Sequence, residues 1–330
     1  MKLQPASQKQ TAQGNGASIY DVARQADVSI VTVSRVFNDY PHVSKRMRER
    51  VFAAARAVGY TPRLVSKPRV AAVIIGHLDH LSAGDYKTRL LLHLVRAAAG
   101  IGYLVEFIPL DSVDLATKHL VDAIIEVGLT DSEVTQLDRL PPVPTILINK
   151  RTPRPAWSTV SSDQSYEGEL ATTHLAENGH QRIALLLDDS TGWGVEQRRK
   201  GFERAGSRIK GFEPLVLCTS EMPPPEIAAR MKEAKSTACV NLSDNFGLAV
   251  LDHCVHELKL RIPEDISVVA LENRSVSCFW NPRLTTIEQP LEAIAKCAVQ
   301  GACDLLVNPA RRFDRKFKGR LIERASVARR

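Results

Sequence analysis

Several features that assign proteins to common classes are missing from this sequence of 330 residues. Its six cysteines, at positions 218, 239, 254, 278, 297 and 303, include no Cys-x-x-Cys pair, so we expect the reduced, mostly buried thiols of a cytoplasmic protein. No apolar run is long enough to span a bilayer, and the first residues lack the apolar stretch of a signal peptide. There is no GxSxG elbow, no phosphate-cradling glycine loop and no GxGxxG after the first predicted strand. These absences argue against a membrane protein, a secreted protein and the commonest hydrolases and nucleotide-dependent enzymes.

The charge of the chain is distributed unevenly. Residues 1–69 contain 12 Lys and Arg against 4 Asp and Glu, and residues 311–330 contain 9 against 2. Because the whole chain carries +7, the segment between them has a net charge of −8. A basic end on an acidic body is typical of a protein that binds nucleic acid through one small domain. We expect residues 309–330 to be a solvated basic tail and residues 1–17 to be a disordered polar arm.

Residues 18–38 contain the pattern of two short helices with a sharp turn between them. Ser18 and Asp21 have the spacing of a capping box at the start of the first helix, and Ser29 can cap the second. On the second helix apolar residues recur at i, i+3, i+4, while Arg35 lies on another face. The pattern fits a helix-turn-helix, whose second helix enters the major groove of DNA, and it also fits an ordinary helical hairpin.

A third helix is predicted from Ser44 to Gly59, followed by a short basic linker at residues 63–69. One face of this helix is basic, and some of its side chains are expected to approach phosphates. The basic residues are Lys45, Arg46, Arg48, Arg50 and Arg56.

From Val70 the pattern changes to short apolar runs that alternate with helical segments. The predicted buried strands are 70–76, 103–110, 121–127, 145–149, 182–189, 214–218, 238–243 and 266–272. Helices are predicted between them at 86–99, 166–178, 197–205, 225–234 and 246–258. Strands and helices that alternate in this way indicate parallel sheets covered by helices on both faces, and the number of strands indicates two such units in series.

The segment SIYDVARQADVS, followed by VTVSRVFN and VSKRMRERVFAAARAVGYTP, resembles the DNA-binding domain of the lactose repressor/galactose repressor family of bacterial transcription regulators. The body resembles the same family's effector domain in four segments: STVSSDQSYEGELATTHLAENGHQRIALL, VEQRRKGFERA, IPEDISVVALENRS and PRLTTIEQP. The resemblance implies a small all-α helix-turn-helix domain followed by an α/β effector domain. That domain would have two doubly wound parallel-sheet subdomains, as in periplasmic sugar-binding proteins.

The resemblance also implies the domain boundaries. We expect a DNA-binding domain at 18–62, a linker at 63–69 and an effector-binding and dimerisation domain at 70–308. Within the last, one subdomain is expected to comprise about 70–158 plus 286–308, and the other about 159–285.

By match to the family, Ile30, Val31 and Arg35 are expected to contact base edges. Ile30 also has the spacing to complete the core of its own domain, so both roles stay open. The expected phosphate contacts are Ser29, Thr32, Ser34 and Asn38, with Ser29 also fitting a helix cap. The family wedges a hinge leucine into the minor groove, and Leu64 is the nearest candidate. The linker is about six residues short for that hinge and contains Pro68, so a plain linker is the alternative.

The effector is expected to bind at the carboxyl ends of the strands, where parallel sheets place their ligands. By match to the family, the candidates that contact it are Asp79, His80, Arg198, Asp244 and Glu272, with Trp193 as a surface on which a sugar ring stacks. Several alternatives stand beside these roles, namely a metal site at the His-x-Asp-His segment, a surface ion pair for Glu272 and packing for Trp193.

The residues and the resemblance together predict a cytoplasmic, homodimeric transcription regulator, most simply a repressor. It would bind double-stranded DNA at a palindromic operator, and a small effector, expected to be a sugar or sugar derivative, would change its affinity allosterically. No cofactor, metal or membrane partner is expected. The alternatives are a sugar-converting enzyme or hydrolase with an added helical domain, and a non-specific DNA-binding protein.

Overall fold

A computed structural model describes residues 17–37, 40, 42–60, 70–76, 86–119, 121–140, 142–187, 192–242, 245–273, 275–308 and 310–330. The chain divides into two compact units, Met1–Pro68 and Arg69–Arg330. Among the described residues, none of the helices has both the length and the apolar character needed to cross a membrane.

The first unit contains three helices, α1 (Ile19–Gln25), α2 (Ile30–Phe37) and α3 (Lys45–Ala57). The predicted capping box is present, because Ser18 N donates to Asp21 Oδ2 at 2.9 Å and Asp21 N donates to Ser18 Oγ at 3.4 Å. Between α1 and α2, Asp27 adopts φ +47°, which is the left-handed geometry expected of this turn.

A small apolar core holds the three helices together. Val22, Val33 and Val51, one from each helix, are fully buried. Phe37 closes the core, with ring centroids 5.6 Å from Phe52 and 5.9 Å from the ring of Tyr60. This packing fixes which face of α2 is left outside.

The second unit is built on two six-stranded sheets. The first sheet contains β1 (Val70–Ile75), β2 (Leu104–Pro109), β3 (Ala123–Val127), β4 (Thr145–Ile148), β5 (Ser158–Ser162) and β11 (Asp314–Phe317), in the order β11-β5-β4-β3-β1-β2. The second contains β6 (Arg182–Leu187), β7 (Glu213–Cys218), β8 (Ala238–Leu242), β9 (Ser267–Leu271), β10 (Thr285–Glu288) and β12 (Arg320–Ile322), in the order β12-β10-β9-β8-β6-β7. The strand pairs are parallel except β10 with β12.

Helices cover both faces of each sheet, as expected for parallel strands buried on both sides. They are α4 (Tyr86–Ala99), α5 (Leu115–Lys118), α6 (Gln164–Glu177), α7 (Trp193–Gly206), α8 (Pro224–Glu233), α9 (Asn245–His256), α10 (Ser275–Phe279) and α11 (Leu291–Val307). Under the first sheet, α4 and α11 form one core with its strands. The predicted fold class and the eight predicted strands are confirmed.

Two predicted boundaries inside this unit are wrong. Residues 159–162 belong to the first sheet rather than the second subdomain, because β5 pairs with β4. Residues 286–288 belong to the second sheet, because β10 pairs with β9. The chain therefore crosses between the sheets near 163 and near 289, and it crosses a third time between β11 and β12.

The predicted solvated tail, residues 309–330, is also wrong. Here β11 pairs with β5 and β12 pairs with β10, so the segment adds one strand to each sheet. Ser326 is fully buried and bridges two strands, since its Oγ donates to Val268 O at 2.6 Å and accepts from Thr285 N at 2.7 Å. The basic side chains of β11 are exposed, so a basic composition did not exclude an edge strand.

Candidate DNA-reading surface and effector cleft

Helix α2 leaves three of the predicted base-contacting side chains in solvent. Val31 is 59% exposed and Ile30 is 40% exposed, so Ile30 is not part of the core of its own domain. Arg35 is exposed too, and its guanidinium makes no hydrogen bond to any residue in the part of the chain that the structure describes. These side chains project from the face opposite to the buried Val33 and Val36.

Ser29 is the cap of α2. Its Oγ accepts a hydrogen bond from Thr32 N at 3.1 Å and lies 2.9 Å from Thr32 Oγ1. Both hydroxyls are therefore already engaged in the helix cap, and Ser34 is half-buried.

Two of the basic residues on α3 have structural partners. Arg48 Nη2 donates to Tyr40 O at 2.8 Å, and Arg50 Nη2 donates to Asp27 O at 3.1 Å. The bond from Arg48 holds the loop after α2, and the bond from Arg50 holds the turn between α1 and α2. Lys45 and Arg46 are exposed at the start of the same helix.

Several predicted site residues lie outside the described residues. They are Asn38, Leu64, Asp79, His80 and Asp244.

In the second unit, polar side chains from both sheets meet at the carboxyl ends of the strands. Glu126 lies near the end of β3, Asn149 follows β4 and Glu272 follows β9. The hydroxyl of Tyr86, the first residue of α4, accepts a short hydrogen bond from Asn149 Nδ2. Tyr86 and Glu272 line one cleft together with Arg89 and Asn273. Burial, reinforced by the negative charges of Glu272 and Glu126, raises the pKa of Tyr86 well above its ordinary value.

Glu126 is fully buried near the end of β3. Its Oε1 accepts a hydrogen bond from Leu129 N at 2.7 Å, whereas its Oε2 has no hydrogen-bond partner among the described residues. Burial raises the pKa of Glu126 to about 7, against the opposing charge of Lys150.

Glu167, on the first turn of α6, is a second buried carboxylate of the cleft. Burial raises its pKa to about 7, although Arg198 opposes the shift, and the nearby charge of Glu272 adds to it. In the part of the chain that the structure describes, its Oε1 also lacks a hydrogen-bond partner.

Arg198 reaches the cleft from α7, and its position depends on two glycines. A Cβ on Gly201 would lie 1.9 Å from Ser165 O, and one on Gly168 would lie 2.4 Å from Arg198 O. The backbones of α6 and α7 therefore touch, which places Arg198 beside Glu167. The Nε of Arg198 is buried, and no described residue accepts a hydrogen bond from it.

The loop after β9 connects the two sheets across the cleft. Glu272 adopts φ +84°, and its N–H donates to Ile287 O at 3.0 Å. The next residue, Asn273, accepts a hydrogen bond at its carbonyl from Arg89 Nη1 at 2.6 Å, and Arg89 belongs to α4 of the first sheet. This bond is a direct polar contact between the two halves of the unit.

Trp193 lies at the edge of this arrangement. Its backbone N–H donates to Asp131 Oδ2 at 3.4 Å. Together with Lys150 and Trp157, Trp193 lines a groove of about 450 Å³. Trp280, in contrast, packs against the apolar core of the second sheet.

Of the predicted effector contacts, Arg198 and Glu272 both lie near Glu167, and Glu272 also lies near Tyr86. Their role in binding an effector stays a prediction. Glu126 and Asn149 had a signal in the sequence, because each is a polar residue at the end of an apolar strand. Glu167 had none, since a glutamate in the first turn of a helix is ordinary. Among the described residues no group of His, Cys, Asp and Glu has the geometry to hold a metal ion.

Comparison with known proteins gives two matches to protein families. Residues 18–63 match the lacI family of bacterial regulatory proteins, and residues 172–327 match a periplasmic binding protein-like domain. The chain is 28% identical over 304 residues to the HTH-type transcriptional repressor PurR of Aliivibrio fischeri (strain MJ11), a match that covers 86% of this chain and 90% of that relative.

Two solved structures share the fold. The crystal structure of the Lac repressor dimer bound to operator and the anti-inducer ONPF has a TM-score of 0.77 at 23% identity, over 95% of this chain and 100% of that one. The complex of the transcriptional regulator CelR with cellobiose has a TM-score of 0.67 at 24% identity, over 94% and 99%. With a head that matches the lacI family of bacterial regulatory proteins and a body that matches a periplasmic binding protein-like domain in one chain, this protein is a DNA-binding transcription regulator.

Proposed function

We propose that this regulator is a cytoplasmic homodimeric repressor that binds a palindromic operator and releases or tightens its hold when a small effector occupies the cleft of the second unit. The observation that carries the proposal is the presence, in one chain, of an exposed recognition helix and a buried polar cleft between two sheets. A protein with only the first would bind DNA, and one with only the second would bind a small molecule.

In the proposed DNA complex, Arg35 donates to a guanine, while Ile30 and Val31 contact thymine methyl groups. Lys45 and Arg46 bind phosphates, and Thr32, Ser34 and Asn38 lie near the sugar-phosphate backbone of the DNA. Leu64 lies at the minor groove. One head makes few contacts, so two heads on a dimer are needed for a specific site.

The proposed effector is a sugar or sugar derivative held by Arg198, Glu272 and the buried carboxylates, with Asp79, His80 and Asp244 as further contacts and Trp193 at the edge. CelR has been solved with cellobiose and the Lac repressor with an anti-inducer, which supports a small organic ligand in a fold of this kind. Such a ligand bridges both sheets and would change the contact between Arg89 and Asn273 that joins them.

An enzyme is not proposed. The relatives reported above are transcription regulators, and the buried polar groups described at the ends of the strands suit ligand binding.

The test is selection of bound duplexes from a random pool by the purified full-length protein at near-physiological salt. The proposal predicts a palindromic consensus, and repeating the selection with individual sugars should identify one that changes the bound fraction. Binding that depends steeply on salt but has no consensus would instead indicate non-specific DNA binding.

A further inference from the structure

The side chain of Asn273 is held from two sides. Asn273 is the second residue after β9 and follows Glu272 directly. Its Nδ2 donates to Glu288 Oε1 at 2.8 Å, and its Oδ1 accepts from Arg324 Nη2 at 2.8 Å. Both partners are charged side chains, which make stronger hydrogen bonds than neutral ones. The amide cannot turn without losing one of these bonds, so the loop after β9 is fixed to the second sheet.

Arg324 comes from the segment after β12, and four hydrogen bonds fix it in place. Its backbone N–H donates to Thr285 Oγ1 at 3.0 Å. Its guanidinium donates to Leu284 O at 2.6 Å and to Thr286 Oγ1 at 3.0 Å, besides the bond to Asn273. Because a guanidinium is planar, bonds that fix one of its nitrogens also orient the others. Arg324 therefore ties the loop after β9 to the strand β10 and its start.

The same loop is bonded to the half of the unit that is built on the first sheet. The carbonyl of Asn273 accepts from Arg89 Nη1 at 2.6 Å, and Arg89 lies on α4, which packs in the core of the first sheet. Arg324 and Arg89 thus belong to different halves of the unit and are bonded to one residue between them. A hydrogen bond needs a narrow range of distance and angle, so the bond from Arg89 is made only while the two halves stay close.

We propose that Arg324 is a positioning residue of the effector cleft, which holds Asn273 in place so that Arg89 bonds its carbonyl and keeps the two halves of the unit closed. The inference rests on the proposed function, because it names a regulatory part of the same cleft. Arg324 acts through Asn273. Residues after β12 then set the equilibrium between a closed and an open cleft, which is the equilibrium that an effector must shift.

The distance between the two halves tests the inference without DNA or effector. Fluorophores are attached through unnatural amino acids at Lys118 on α5 and Lys232 on α8, which are both exposed. These helices follow β2 and β7, the edge strands opposite to the edges at which the chain crosses between the sheets. Doubly labelled full-length chains are diluted into an excess of unlabelled ones, so that each dimer carries one dye pair. Single-molecule energy transfer then gives the ratio of open to closed molecules.

Variants locate the effect. Arg89→Ala and Arg324→Ala should each raise the ratio of open to closed molecules by at least about fivefold, and the double variant should raise it no further, because both changes remove the same link. Asn273→Ala keeps the backbone carbonyl and should match Arg324→Ala, so it also provides the test if that variant does not fold. Arg324→Lys retains one donor group and should restore part of the closed population. Arg182→Ala is the matched control, since Arg182 Nε donates to Lys235 O at 3.0 Å within the second half alone.

Three results would overturn the inference: an unchanged ratio in Arg324→Ala and Asn273→Ala, effects of Arg89→Ala and Arg324→Ala that multiply in the double variant, or an equal effect of Arg182→Ala. The proposed function is tested separately, because selection of an operator from a random pool does not depend on this link. For the selected operator, Arg324→Ala should change the affinity by at least about fivefold. An unchanged affinity beside an opened cleft would overturn the regulatory role of Arg324.

Discussion

Arg35 and Val31 differ in what they can recognise on DNA. The guanidinium of Arg35 can donate two hydrogen bonds to the N7 and O6 atoms of a guanine, which no other base pair accepts in the same way. Val31 has only apolar contact to offer. Specificity at one base pair should therefore depend on Arg35, and affinity for any DNA should depend on the exposed cations of α3.

Replacing Arg35 by Ala should weaken binding to the selected operator by about 1–3 kcal/mol and relax the preference at one base pair of each half-site. Competition binding against operators altered one base pair at a time measures both effects. Arg46→Ala is the matched control, because it should weaken binding to all sequences alike and reduce the salt slope by about 1. An Arg35→Ala variant that keeps the full preference would show that this side chain does not contact a base.

Buried carboxylates make the stability of the ligand-free protein depend on pH. The folded pKa of Glu126 is about 7, above the unfolded value of about 4.3, so between these values the folded state binds more protons than the unfolded state. Stability should therefore fall as the pH rises from 5 to 7 and then level off, and Glu167 should contribute in the same direction.

Glu126→Gln should remove part of this pH dependence. At pH 8 the variant should be more stable than the wild type by at most about 4 kcal/mol, because Gln carries no charge to bury and its carbonyl can still accept from Leu129 N. At pH 5 the difference should shrink to about 1 kcal/mol. Melting temperatures measured from pH 5 to pH 8 test this, and identical curves for the two proteins would show that Glu126 is not a buried carboxylate.

At the scale of elements, the contact of α6 with α7 builds the cleft. The two helices approach closely enough that Gly201 has no room for a Cβ, and this approach brings Arg198 of α7 to Glu167 of α6. Gly201, three residues after Arg198, is thus a packing residue that positions this arginine.

Gly201→Ala should force α7 away from α6, which costs about 1–3 kcal/mol of stability and weakens effector binding without touching the effector. Gly100→Ala is the control, since its added Cβ would meet nothing closer than 3.5 Å. Urea denaturation and ligand titration measure the two effects. If Gly201→Ala destabilised the protein but left ligand affinity unchanged, the close contact of α6 with α7 would not be what positions Arg198.

The apolar runs predicted eight strands, but four others had no such signal. β5 reads Ser-Thr-Val-Ser-Ser yet is wholly buried, because its hydroxyls find partners: Ser158 Oγ accepts from Phe313 N at 3.3 Å and Thr159 Oγ1 donates to Asp314 Oδ1 at 2.7 Å. These bonds also hold the exposed edge strand β11 in place. Hydrophobic periodicity detects the burial of apolar side chains, so it does not predict a buried strand with polar side chains such as β5.

The residues of the candidate effector site could be predicted only in part. Arg198 and Glu272 were predicted from the resemblance to a family. The burial of Glu167 results from the packing of α6 against the rest of the unit, and no local pattern in the sequence encodes it.

At the scale of the whole molecule, the account joins two binding events in one chain. If an effector changes the affinity for operator by some factor, operator must change the affinity for effector by the same factor. Dimerisation strengthens this coupling, because a palindrome is bound only when both heads are placed correctly.

The most direct test is to measure that reciprocal coupling in the full-length protein. Affinity for the selected operator is measured with and without the sugar that changes the bound fraction in the selection, and affinity for that sugar is measured with and without operator. The account predicts that both change by the same factor, about fivefold or more, and that Arg198→Ala abolishes both changes. An operator affinity that stays the same while the sugar fills the cleft would contradict the account.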